Sequence, residues 1–223
     1  MLGWSYERKF VMVRDVFVRN MPVAEICLGD YVLVHAAAGG VGLAAVQIAK
    51  AFGAIVIATV SSGRKSLVAQ SFGADYVIDY GKQDWPDKVK KLTPDGRGVD
   101  IVYDSVGLTA LSMKCIAWNG RLVVVGFAGG ELEKVATNRI LLKNISVIGL
   151  HWGMFAKYEP GTIDEVWKNI LYLIRTGKFK STCFTDQSYV GLEGVPKALT
   201  ALQSRKTWGK VVISITKEYG SKL

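Results

Sequence analysis

Tyr31-Val32-Leu33-Val34-His35-Ala36-Ala37-Ala38-Gly39-Gly40-Val41-Gly42 passes from a mostly apolar run through a small-residue turn into a helical period. A short apolar run closed by glycine predicts a buried strand over 31–36. The spacing of Val41, Ala45, Ile48 and Phe52 predicts a helix over 41–52, stopped by Gly53. Strand, glycine turn and helix in that order make a place for a pyrophosphate. Helix N-terminal N–H groups meet the negative charge, and glycines let the backbone approach it. Ala37, Gly39 and Gly42 fall on the three positions of the G-x-G-x-x-G pattern, with alanine in the first.

The alternation continues outward. Strands are expected over 54–60, 76–79, 99–104, 121–126 and 145–150, with helices over 64–72, 84–92 and 108–117 between them. Parallel strands need crossover connections, so the pattern predicts an α/β fold, a doubly wound parallel sheet of the Rossmann type. Beyond Leu150 the repeat stops, and a helix over 163–175, a strand over 183–190, a helix over 192–203 and a strand over 210–215 form a C-terminal helix/strand extension. One domain over 29–216 is expected, between an atypical segment 1–28 and a tail 217–223.

Composition limits the function classes. Half of the 223 residues are hydrophobic and 21% are charged, enough for a full core. Every apolar run is interrupted before the roughly 18 residues of a membrane span. The net charge of +9 is dispersed, and Lys88, Lys90 and Lys91 read as a solvated helix face, so neither nucleic acid nor a membrane is expected as partner. Cys27, Cys115 and Cys183 lie far apart with no CxxC pair, which argues against a disulfide framework and a zinc site. That usage fits a reducing compartment, the cytoplasm first. Arg8, Lys9, Arg14 and Arg19 keep mitochondrial import open, against Glu7 and Asp15. Cys27 and Cys115 read as core thiols, His35 as structural, and His151 as a loop histidine ahead of a general acid.

The end of the second strand selects the cofactor. NAD sites place Asp or Glu about 20 residues past the glycines, whereas Ser61-Ser62-Gly63-Arg64-Lys65 offers hydroxyls and cations suited to a 2′-phosphate, so NADPH is expected. Ligands of open α/β sheets bind at strand carboxyl ends. That adds Ser105-Val106-Gly107, the Gly126-Phe127-Ala128-Gly129 loop and the Leu150-His151-Trp152 loop.

The first quoted stretch, with Val102-Tyr103-Asp104-Ser105-Val106-Gly107, Gly120-Arg121-Leu122-Val123-Val124-Val125-Gly126-Phe127-Ala128 and Leu142-Lys143-Asn144-Ile145-Ser146-Val147-Ile148-Gly149, resembles the zinc-free quinone oxidoreductases. These are the zeta-crystallin branch of the medium-chain dehydrogenase/reductase superfamily, and the resemblance spans residues 29–216. It implies hydride transfer from NADPH to quinones or other α,β-unsaturated carbonyls without metal, in a homodimer joined through the sixth strands. Carried over, the phosphate and ribose contacts fall on Gly39, Gly40, Val41, Ser61, Lys65 and Tyr80. Arg205 closes over the same phosphate, and Phe127 with the Leu150 to Trp152 loop flanks the nicotinamide. No catalytic side chain is implied. The family opens with a GroES-like catalytic domain that residues 1–28 do not resemble, so an exposed apolar surface is expected. Two functions follow: an NADPH-dependent reductase, or a noncatalytic NADPH-binding or partner-binding module.

Overall fold

The computed structural model describes residues 26–82 and 84–215. Most of segment 1–28, including its four basic residues, and the tail 217–223 lie outside the described residues. Strands β1 (Tyr31–Val34), β2 (Ile55–Val60), β3 (Tyr76–Asp79), β4 (Val99–Asp104), β5 (Ile116–Val124) and β6 (Ser146–Gly149) form one parallel sheet ordered β3-β2-β1-β4-β5-β6. Helices α1 (Gly40–Ala51), α2 (Gly63–Ser71), α3 (Trp85–Lys91), α4 (Thr109–Cys115) and α5 (Thr137–Lys143) make the crossovers. The order reverses between β1 and β4, the switch point of a doubly wound sheet.

Strand side chains alternate between two cores. Val32, Val34, Val56, Ala58, Ile101 and Tyr103 face α1 on one side, while Leu33, Ile57, Val102 and Leu122 face Trp85, Val89, Met113 and Cys115 on the other. Burial on both faces is why these strands read as unbroken apolar runs.

Several boundaries differ from the sequence expectation. β5 starts at Ile116, ahead of the expected 121, because Asn119-Gly120 is a kink inside the strand and not a turn before it: Val99 pairs with Ile116, Ile101 with Arg121, and Asn119 takes φ 63°. α5 is not expected from the sequence because its apolar residues, Ile140, Leu141 and Leu142, are consecutive and make no helical period. In the extension, α6 (Phe155–Tyr158) precedes α7 (Pro160–Arg175), whose proline stands in the first turn, where its missing N–H costs nothing. The strands expected over 183–190 and 210–215 shrink to β7 (Tyr189–Val190) and β8 (Ile213–Ser214), plus one bridge between Cys183 and Lys210. α8 (Val195–Gln203) lies between them.

The extension is tied to the sheet's flank by specific contacts. The Gln47 amide exchanges hydrogen bonds with the Lys180 backbone at 2.8 and 3.2 Å. Trp208 packs between the rings of Phe72 and Phe184. Leu192, Leu199, Leu202, Val212 and Ile215 nevertheless remain exposed. Cys115 is buried as expected, but Cys27 is exposed: it precedes β1 on a turn, where its N–H donates to Asp30, and it is no core thiol. Lys88 and Lys90 of α3 pair with Asp84 and Asp87 at the surface. No helix among the described residues is long and apolar enough to cross a membrane.

Candidate dinucleotide cleft

β1 ends in a turn that brings the chain to the N-terminus of α1. Ala36 takes the left-handed φ of 48°, and its carbonyl accepts the Gly39 N–H at 2.9 Å. This is one residue earlier than the sequence pattern placed the special position. The Ala37 side chain is fully buried in the core behind the turn and does not line the cleft. Gly42 has a steric reason: a Cβ there would lie 2.4 Å from the Ala36 carbonyl oxygen and 2.6 Å from the Ala37 Cα. Gly40 has a different one, since its missing Cβ makes room for the Lys210 stem. The first bond of α1 runs from Leu43 N–H to the Gly39 carbonyl, which leaves the Gly40, Val41 and Gly42 N–H groups at the positive end of the helix, outside its ladder. That end suits an anion.

The turn opens onto a cleft of about 180 Å³ lined by Ala36, Ala38, Gly39, Ser61, Lys65, Tyr80, Val106, Ala128, Gly129, Arg205 and Thr207. Its β2 end is cationic. The Lys65 ammonium donates to the Arg205 carbonyl at 2.8 Å, and its pKa is lowered, first by burial and then by the Arg205 charge. Arg205 follows α8 with φ 56°, a left-handed position where glycine is normally preferred. Two cationic side chains, Lys65 and Arg205, thus line the same end of the cleft. Arg64, expected beside Lys65, turns away: its guanidinium grips Asp186 through Nε at 3.2 Å and the terminal nitrogen at 2.7 Å. Ser62 precedes α2 on the exposed outer side and is not among the lining residues.

The β4–β5 end is apolar and rests on a buried carboxylate. Asp104 Oδ1 accepts the N–H groups of Val106 and Gly107 at 2.9 Å each, and Oδ2 accepts the Leu108 N–H at 2.8 Å and the Thr109 hydroxyl at 2.9 Å. Beneath it, buried His35 spans Thr59 Oγ1 at 2.9 Å and Ser112 Oγ at 2.8 Å, with its ring edge-on to Trp85. Ser112 gives its own proton to the Leu108 carbonyl, so Nε2 of His35 carries the hydrogen and Nδ1 accepts from Thr59. Burial lowers the His35 pKa to about 4, with Asp104 opposing.

Of the remaining expected residues, Ser105, Gly107 and Gly126 belong to the loops behind the wall, and Phe127 projects outward, half exposed. Leu150 is buried in the sheet core, and Trp152 stacks on Phe155 in a satellite cluster, so neither flanks the cleft; His151 is exposed. Thr207 had no local signal, because it reaches the cleft only through the return of the chain after α8. Ala36 and Ala38 were hidden by a pattern that counts glycines.

A sequence model of the zinc-binding dehydrogenase family matches residues 40–170. The chain is 41% identical over 189 residues to a quinone oxidoreductase-like protein 2 homolog from Nematostella vectensis, covering 83% of this chain and 51% of that protein. It is 36% identical over 195 residues to quinone oxidoreductase-like protein 2 of Mus musculus, covering 86% and 55%. The chain thus spans about half the length of the curated relatives it matches. Its fold superimposes on the Escherichia coli quinone oxidoreductase crystallised with NADPH at a TM-score of 0.79 and 30% identity, covering 94% of this chain and 63% of that one.

Proposed function

This chain belongs to the zinc-binding dehydrogenase family, in the quinone oxidoreductase-like branch of the medium-chain dehydrogenase/reductase superfamily, and on that premise we propose that it binds NADPH and reduces quinones or other α,β-unsaturated carbonyls without metal. The observation that carries the cofactor choice is the Lys65–Arg205 pair, two cations meeting at the β2 end of a cleft whose preceding loop, 61–65, contains no carboxylate. A 2′-phosphate answers that charge; a 2′-hydroxyl does not.

When bound, the reduced nicotinamide supplies a hydride. The chain's part is binding and orientation. The α1 N-terminus holds the pyrophosphate, Lys65 and Arg205 hold the 2′-phosphate, Ser61 and Tyr80 line the adenosine side, and Val106, Ala128 and Gly129 form an apolar wall opposite. Such a site accelerates reaction by keeping the reacting atoms close and excluding water, which needs no side-chain nucleophile. We further propose that β6, the edge strand beside exposed Leu141, Leu142 and Val147, pairs with its counterpart in a homodimer, and that the protein works in a reducing compartment, the cytoplasm first.

The exposed face of Leu192, Leu199, Leu202 and Val212 favours a second reading, in which the chain is a nucleotide-binding module that docks a partner. Titration and turnover separate the two. NADPH should bind at least about tenfold more tightly than NADH, Lys65→Ala should erase that preference, and Arg64→Ala should hold it within about twofold. Equal affinity for NADPH and NADH in the wild type refutes the cofactor reading. Tight binding with no loss of NADPH absorbance in the presence of an ortho-quinone favours the module over the reductase.

A further inference from the structure

We propose that Asp104 is a positioning residue that builds the apolar wall of the cleft, setting the nicotinamide half of the site while leaving the adenosine half untouched. The inference rests on reading the cleft as a dinucleotide site. A buried carboxylate is costly unless its lone pairs are met, and Asp104 meets them with three successive backbone N–H groups and one hydroxyl. Turning the Val106, Gly107 and Leu108 N–H groups inward takes the polar backbone off the cleft surface and leaves Val106 in the lining. Gly107 permits the turn with φ 97°.

The second half of the wall is templated on the first. Past the end of the sheet, Val125 N–H bonds to the Asp104 carbonyl at 2.8 Å, Ala128 N–H to Ser105 at 3.1 Å and Gly129 N–H to Val106 at 2.8 Å. A Cβ on Gly129 would lie 2.9 Å from the Val106 carbonyl oxygen, so the two loops are in backbone contact. His35 supports the base by holding Ser112, whose hydroxyl holds the Leu108 carbonyl. One carboxylate therefore fixes both loops that carry Val106, Ala128 and Gly129. Asp104 does not act as a cap for α4, whose Ala110 N–H goes instead to Glu133 at 3.1 Å.

Asp104→Asn keeps the shape but turns one oxygen into a donor facing donors. Two readouts test it. In the nucleotide-free protein, the amides of Val106, Gly107, Ala128 and Gly129 should exchange with deuterium roughly tenfold faster in the variant, while those of α1 are unchanged. In titrations, NADPH affinity should fall roughly tenfold while adenosine 2′,5′-bisphosphate, which lacks the nicotinamide half, binds within about twofold of wild type. Unchanged exchange at the four amides overturns the inference, as does equal loss of affinity for both ligands. If Asp104→Asn does not fold, Thr109→Val removes one hydroxyl from the same carboxylate and should accelerate the same amides by about threefold, with no acceleration counting against the proposal. Wild-type protein that binds neither ligand refutes the dinucleotide reading, while the exchange experiment still decides whether Asp104 orders the two loops.

Discussion

Acidification should destabilise this protein through His35 before most carboxylates titrate. The unfolded chain protonates its histidine near the ordinary value of 6.5, whereas burial in the folded state lowers the pKa to about 4. Above pH 6.5 the ring is neutral in both states and makes no difference. As pH falls from 6.5 to 4 the unfolded state takes up a proton that the folded state refuses, so stability drops. Below about 4 both states are charged and the loss levels off. The linkage integral gives about 2 kcal/mol lost at pH 5 and about 3 kcal/mol near pH 4, against a typical total of about 5–15 kcal/mol. Urea unfolding of wild type and His35→Gln at pH 7.5 and pH 5.0 isolates the term. Whatever the variant costs at neutral pH, its pH-dependent loss should be smaller than that of wild type by about 2 kcal/mol. The sequence's other histidine, His151, is exposed and is present in both proteins. Identical losses in the two proteins would refute the argument that His35 is buried neutral between Thr59 and Ser112.

Gly42→Ala forces a methyl group against the fixed Ala36 and Ala37 backbone and should cost about 1–3 kcal/mol, whereas Gly40→Ala meets only the flexible Lys210 stem and should cost less; thermal melts showing the reverse order would overturn this assignment. Val147→Lys places a charge on the β6 edge and should convert the proposed dimer to a monomer by sedimentation, with an unchanged dimer mass in the variant counting against pairing through that strand.

The doubly wound sheet is legible because its central strands β1, β2 and β4 are buried on both faces, so each is an apolar run bounded by glycine or by a helical period. β5 was misjudged because Asn119-Gly120 has turn chemistry yet sits within a strand, held by the pairing of Ile116 with Val99. In the cleft, Gly39, Ser61, Lys65, Tyr80, Val106 and Arg205 were identifiable from strand ends or from the family resemblance. Arg64 does not line the cleft because sequence neighbours in the first turn of a helix point in different directions, and Asp186, distant in sequence, pairs with it. Leu150 and Trp152 lie off the cleft for a related reason. Being next to a strand end does not say which way a side chain faces, and apolar side chains there can serve the core.

The Gly209 N–H donates to the Ala38 carbonyl at 2.8 Å, and Gly39 bridges to Gly209, so the turn that begins the cleft is stitched to almost the last described residues. During synthesis, the glycine corner emerges first and waits for the rest of the sheet and the extension before this backbone partner exists. Contacts so far apart in sequence form late, after the entropy of closing the intervening chain has been met. Thr207 and Arg205 arrive with the same segment. The cleft is therefore complete only once this segment has docked against the sheet.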